Sequence, residues 1–232
     1  MTLKGYDIRF KLKTLLIAVT AICLYFCWYN FNAQKRSVDW VRSKKGTVEF
    51  DCAPKSSGKY SDSVRNVMSK VFGRSITNCV VSARLINDEI VDLDPLVNFS
   101  GLKKLLLYSS GVKSLASLKT LKKLQDLDLR TDSVTELSAL SQLSSLKKLQ
   151  LAGKSISDLS SIAQIKSLEI LMIRDTSVSD FEALRGLSKL RFLMIQGNSI
   201  DDGQVEHLKQ CLPNCVVVSQ SGKVVVETWI GE

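Results

Sequence analysis

The sequence predicts an α/β solenoid: a curved parallel sheet whose strands are joined by short 3₁₀ or helical return segments, preceded by an N-terminal transmembrane helix. Three observations carry that prediction. A 22-residue pattern recurs from residue 80 to residue 218. Within each unit, apolar residues first alternate and then fall at every third place. Far upstream, the 18 residues from Thr14 to Phe31 carry no charge and lie between basic clusters.

Val80, Leu102, Leu124, Leu146, Leu168, Leu190 and Leu212 open successive units, and the five units from 80 to 189 carry apolar residues at all of places 1, 4, 6, 11, 14, 17 and 20. In the unit opening at 146 these are Leu146, Leu149, Leu151, Ile156, Leu159, Ile162 and Ile165. Alternation at places 4 and 6 is the signature of a strand with one buried face, so places 3, 5 and 7 point outward. Leucines spaced by three suit a 3₁₀ return path, where side chains at i and i+3 line up. Asp92, Ser114, Glu136, Asp158 and Asp180 stand at place 13, where a side-chain oxygen can accept backbone N–H groups as the return turn begins. Mixed spacing of three and four occurs only at Val205, Leu208 and Leu212, which places an α-helix in the final unit. A fixed period of this kind means that each unit buries its apolar edge by stacking on its neighbours.

The units resemble the short leucine-rich repeats of bacterial proteins and are similar to those of internalins, over about 60% of the chain. One departure stands out. That family usually keeps Asn at place 9 as a hydrogen-bonding ladder, whereas this chain has Asp88, Ser110, Asp132, Lys154, Thr176 and Asn198. The ladder is therefore expected to be partial or replaced by other groups. The resemblance implies a non-enzymatic, membrane-anchored interaction module that binds a protein or peptide on the concave face of its repeats. A self-associating envelope scaffold, with a second copy as the partner, is the alternative.

The stretch 37–51 reads as a helix, a glycine turn at Gly46 and a strand, and 60–73 as a helix ending at Gly73. The domain reading is a basic tail (1–13), a transmembrane anchor (14–31), a juxtamembrane linker and N-terminal cap (32–79), leucine-rich repeats (80–218) and a C-terminal cap or tail (219–232). Solenoids need such caps over their open ends. The tail's GKVVVETW is a candidate last strand.

The net charge of +9 is confined to residues 1–79, with 14 basic against 5 acidic residues; residues 80–218 carry 17 against 16. That distribution argues against nucleic acid as a partner and places the basic excess beside the uncharged run. Eighteen helical residues span roughly 27 Å, close to a bilayer's hydrocarbon core. Tyr25, Trp28, Tyr29 and Phe31 gather at one end, where aromatic rings suit the headgroup layer. A cleaved signal is disfavoured because Phe31 precedes Ala33 by two places, and a lipoprotein signal because Cys23 and Cys27 follow Ile22 and Phe26. Basic residues flank both sides almost equally, so orientation rests on the ease of exporting a long C-terminal domain. The expected location is a single-pass membrane protein with its repeats on the exported side. There, Cys52, Cys79, Cys211 and Cys215 are available for disulfides, with Cys52 to Cys79 preferred, although spacing fixes no connectivity.

The outward places give a candidate site. The middle units are polar there, with Asp126, Asp128, Arg130, Lys148 and Gln150. The last three units bring together Ile170, Met172, Phe192, Met194, Val216 and Val218, flanked by Arg174 and Gln196. A contiguous apolar patch of this size marks a contact surface, unless the tail folds over it. Catalysis finds little support. The chain has one histidine, His207, which excludes the usual Ser/His/Asp arrangement and His-rich metal sites, and it reads as a surface or capping residue. Asp126 and Asp128 project from an open sheet beside Arg130 and read as a solvated charge cluster. No cofactor, metal or small-molecule substrate is expected.

Overall fold

The computed structural model describes residues 8–50 and 80–219. The expected helix at 60–73, the Cys52 to Cys79 pair and the tail strand all lie outside the described residues.

Helix α1 runs without a break from Ile8 to Ser43. No glycine or proline interrupts it, so the anchor segment and the 37–43 cap helix are one element rather than two. It ends in a Schellman arrangement: Gly46 N–H donates to the Val41 carbonyl and Lys45 N–H to that of Arg42, both at 2.9 Å. Lys45 takes the left-handed conformation (φ 60°). Gly46 is needed for closeness instead, because a Cβ there would lie 2.7 Å from the Arg84 carbonyl oxygen. The chain then enters β1 (Thr47–Phe50). The C-terminal part of α1 covers the first open end of the core through Val38 and Val41. Ser37, buried beside them, donates to the Ala33 carbonyl and accepts from Asn98 Nδ2.

Among the described residues no helix is long and apolar enough to cross a membrane. The expected transmembrane helix is therefore not found there. The side chains of residues 14–16 and 27 lie outside those described, so the uncharged run is not covered throughout.

Strands β2 (Val80–Ile86), β3 (Lys104–Tyr108), β4 (Asp126–Arg130), β5 (Lys148–Ala152), β6 (Ile170–Arg174), β7 (Phe192–Gln196) and β8 (Val216–Val218) follow one another in one sheet. β1 pairs antiparallel with β2, and every later pair is parallel. From β2 to β7 each residue faces the one 22 positions on, as Leu127 faces Leu149 and Leu149 faces Leu171. The inward side chains, Leu127, Leu129, Leu149 and Leu151 among them, are essentially inaccessible.

The return segments are 3₁₀ turns at Asp94–Asn98, Ala116–Thr120, Ser138–Gln142, Ile162–Gln164 and Glu182–Gly186. Their bonds join the every-third leucines directly: Leu118 N–H donates to Leu115, Leu121 to Leu118 and Leu124 to Leu121, at 2.9–3.0 Å. At place 13, Asp92, Ser114, Asp158 and Asp180 each accept the N–H two residues on, at 2.8–3.2 Å. Glu136, one methylene longer, does not.

The ladder at place 9 is partial, as expected. Asp88 accepts the N–H and hydroxyl of Ser110 in the next unit, and Asp132 accepts the N–H of Lys154. Asn198 works in the other direction, accepting the Thr176 N–H at 3.0 Å and the Thr176 hydroxyl. Serines supply the rest: Ser133, Ser155 and Ser177 at place 10 donate to carbonyls of the preceding unit.

The final unit corrects the 22-residue register. Its return path is the α-helix α2 (Asp202–Cys211), opened by a capping box between Asp201 and Gln204. Phe192 consequently faces Val216 rather than Asn214, a slip of two residues. A two-residue slip preserves sheet parity, so Val217 remains inside and Val216 and Val218 remain outside.

Candidate partner-binding surface

The outward face divides into two halves. In the polar half, Tyr108 Oη donates to Asp128 Oδ2 at 2.6 Å, and the Arg130 guanidinium lies 4.2 Å from the Tyr108 ring centre. Arg130 also approaches Asp128 at 3.6 Å. Burial, and then the bond to Asp128, push the Tyr108 phenol above its ordinary value. Asp128 is thus held by a tyrosine and an arginine rather than loosely solvated, and Asp126 stands half-buried two residues earlier on the same strand. A trough of about 580 Å³ runs along the strand ends beside this group, from Ile86 to Asp175, and includes Tyr108 and Arg130.

In the other half the sheet places the predicted patch in two transverse rows. Ile170, Phe192 and Val216 are register partners across β6, β7 and β8, and Met172, Met194 and Val218 form the parallel row. All six side chains are half-buried. Arg174 faces Gln196 at the margin, and its Nη2 points to Met194 Sδ at 3.5 Å. Among the described residues, Arg174 Nε is the one buried side-chain nitrogen or oxygen with no hydrogen-bond partner.

Periodicity alone located the patch, but two features needed coordinates. The Tyr108 to Asp128 bond joins place 7 of one unit to place 5 of the next, a diagonal contact that register permits without requiring. The orphaned Arg174 Nε depends on how the side chain lies against Met194. Among the described residues no three His, Cys, Asp or Glu side chains are grouped as a metal would need.

No protein-family model matches the chain, and no curated protein matches it. Solved structures do. The chain is similar to an internalin of Listeria monocytogenes, with 28% identity over 58% of this chain and 38% of that one and a TM-score of 0.51. It is also similar to a leucine-rich repeat protein of Leptospira interrogans, with 22% identity over 64% of this chain and 38% of that one and a TM-score of 0.53. The fold is a leucine-rich repeat solenoid. The chain spans about two fifths of the length of either relative. Leucine-rich repeats stack into extended surfaces, and a fold of this kind suggests a protein-protein interaction module.

Proposed function

We propose that the protein is a membrane-held, non-enzymatic interaction module whose repeats bind a protein or peptide across β6 to β8. The observation that carries this reading is the pair of apolar rows, Ile170–Phe192–Val216 and Met172–Met194–Val218, set side by side by the register. Arg174 and Gln196, register partners at the end of β6 and β7, bound the patch and give it a polar margin. An apolar centre with polar anchors at its rim is the usual anatomy of a protein interface.

Membrane attachment is supported by the free part of α1. Ile17, Ile22, Leu24, Tyr25, Phe26, Trp28 and Tyr29 are each about half exposed or more, and residues 17–30 are exposed wherever a side chain is described. Tyr25 gathers Phe26, Trp28 and Tyr29 within ring-centre distances of 6.1–6.4 Å. Apolar surface of this extent is costly in water, and a bilayer relieves the cost. The repeats are assigned to the exported side.

Both parts are testable in the full-length protein. Proximity labelling is compared between the parent and a Phe192→Asp/Met194→Asp variant whose circular dichroism matches it. Loss of a defined labelled partner supports the reading, and an unchanged labelled set overturns it. Alkaline carbonate extraction of membranes tests the anchor, because release of the intact chain into the supernatant would rule out a span.

A further inference from the structure

On the far side from the sheet, the last 3₁₀ turn and α2 align three reactive groups. Glu182 Oε1 lies 2.7 Å from His207 Nδ1, and His207 Nε2 lies 3.8 Å from Cys211 Sγ, a hydrogen-bond distance for sulphur. The helix supplies half of this arrangement, since residues four apart share a face. The other half comes from the Glu182–Gly186 turn, against which α2 packs. Arg185 Nη1 sits 3.5 Å from Glu182 Oε2, which leaves Oε1 to the imidazole. When Nδ1 donates to Glu182, the neutral ring presents an unprotonated Nε2 to the thiol. A nucleophile beside a base that is itself oriented by a third group is the usual signature of an activated side chain. Cys211 is partly exposed and has a free thiol, so a reagent can reach it.

We propose that Cys211 is a site of mixed-disulfide formation with small thiols of the glutathione class, with His207 as the base and Glu182 as the positioning residue. The S–H proton of Cys211 passes to His207 Nε2. The thiolate attacks one sulphur of an oxidised small-molecule disulfide; the bond to Cys211 forms as the old S–S bond breaks. The departing thiolate recovers the proton from His207. Cys211 is oxidised, and the disulfide, which is the oxidant, is reduced by release of one thiol.

Cys215 makes this a modification site rather than a dithiol relay. It lies four residues on, and burial pushes its thiol up to about 11. At neutral pH roughly one part in 10⁴ of such a thiol is thiolate, so it resolves a neighbouring mixed disulfide poorly. Cys211 itself ends α2, where helix carbonyls oppose an anion, so its reactivity depends on the imidazole. The charged groups on the packed elements are Glu182 and Arg185 on the turn and Asp202, Glu206 and Lys209 on α2, whereas β8 carries none.

The test treats reduced full-length protein with oxidised glutathione at pH 7 and reads the rate at each cysteine by peptide mass spectrometry. Cys215 in the same molecule is the reference. Cys211 should react at least about tenfold faster than Cys215, which burial keeps almost wholly as thiol. His207→Ala should slow Cys211 by about threefold or more, as expected when a nucleophile loses its adjacent base, and leave Cys215 unchanged. Glu182→Gln should move the Cys211 rate-against-pH curve to higher pH, which a merely structural contact would not do. Equal rates at Cys211 and Cys215, or a Cys211 rate indifferent to His207→Ala in a variant with parental circular dichroism, would overturn the proposal.

Discussion

Gly153 offers the sharpest stability test. Its φ is +141°, and a Cβ built there would lie 1.7 Å from the Thr131 carbonyl oxygen and 2.6 Å from its carbonyl carbon. Reaching even 3.0 Å requires the turn after β5 to move at least 1.3 Å away from the turn after β4. Two bonds cross that gap: Thr131 N–H to the Ala152 carbonyl at 2.9 Å, and Lys154 N–H to Asp132 Oδ1 at 3.1 Å. Their loss costs about 1–3 kcal/mol together, and the unfavourable φ adds about 1–3 kcal/mol. Gly153→Ala should therefore destabilise the solenoid by roughly 2–6 kcal/mol. With a urea slope of about 2 kcal/mol per molar, the unfolding midpoint falls by roughly 1–3 M. Gly186→Ala is the matched control, because its new methyl meets only the flexible end of Lys166, at 3.2 Å. A Gly153→Ala midpoint within about 0.3 M of the Gly186→Ala midpoint, well below the fall predicted from the slope, would refute the reasoning.

Leu149→Ala empties an inaccessible site in a central strand and should cost about 3–5 kcal/mol, read by urea unfolding followed by circular dichroism. Bonds from the Ser110 N–H and hydroxyl hold the Asp88 carboxyl below the usual range, and the Ser160 hydroxyl and N–H do the same for Asp158. Their contribution is complete above the unfolded carboxylate value near 4 and is lost as pH falls through the lowered folded values. Thermal melts from neutral to acid pH should show a shallower decline for an Asp88→Asn/Asp158→Asn variant than for the parent; parallel declines would exclude this. Asp128→Asn should bring the Tyr108 phenol back toward its ordinary value, seen as earlier phenolate absorbance in alkaline titration. Because that phenol is raised in the fold, its contribution is present below about pH 10 and fades at higher pH. Asp201→Ala removes one side of the α2 capping box and should cost about 1 kcal/mol in the same urea assay.

The solenoid was legible because its determinants are local and repeated. Alternating leucines fixed which strand faces look inward, and the i+3 leucines fixed the 3₁₀ returns whose backbone bonds connect those same residues. The final register was not legible. An α-helix rises about 1.5 Å per residue against about 2.0 Å in a 3₁₀ helix, so a return path built as α2 consumes more residues for the same advance. The slip fell on an even number, which is why Val216 and Val218 still joined the predicted patch. The joining of the uncharged segment to the cap helix was also hidden, because reading by composition splits residues at Lys35 and Arg36 where the backbone has no reason to stop. Contacts such as Tyr108 with Asp128, or Cys211 with His207, depend on rotamers that a repeat pattern does not encode.

The unbroken α1 has a mechanical consequence. It is clamped to the first rung at Ala33, Ser37, Val38 and Val41, while about 25 residues extend beyond that clamp, roughly 37 Å of helix. With no glycine, proline or loop between the free end and the clamp, the helix contains no hinge. A tilt or rotation imposed at the free end therefore reaches β1 and β2 as torque, and the aim of the sheet face is set by whatever holds the far end of the helix.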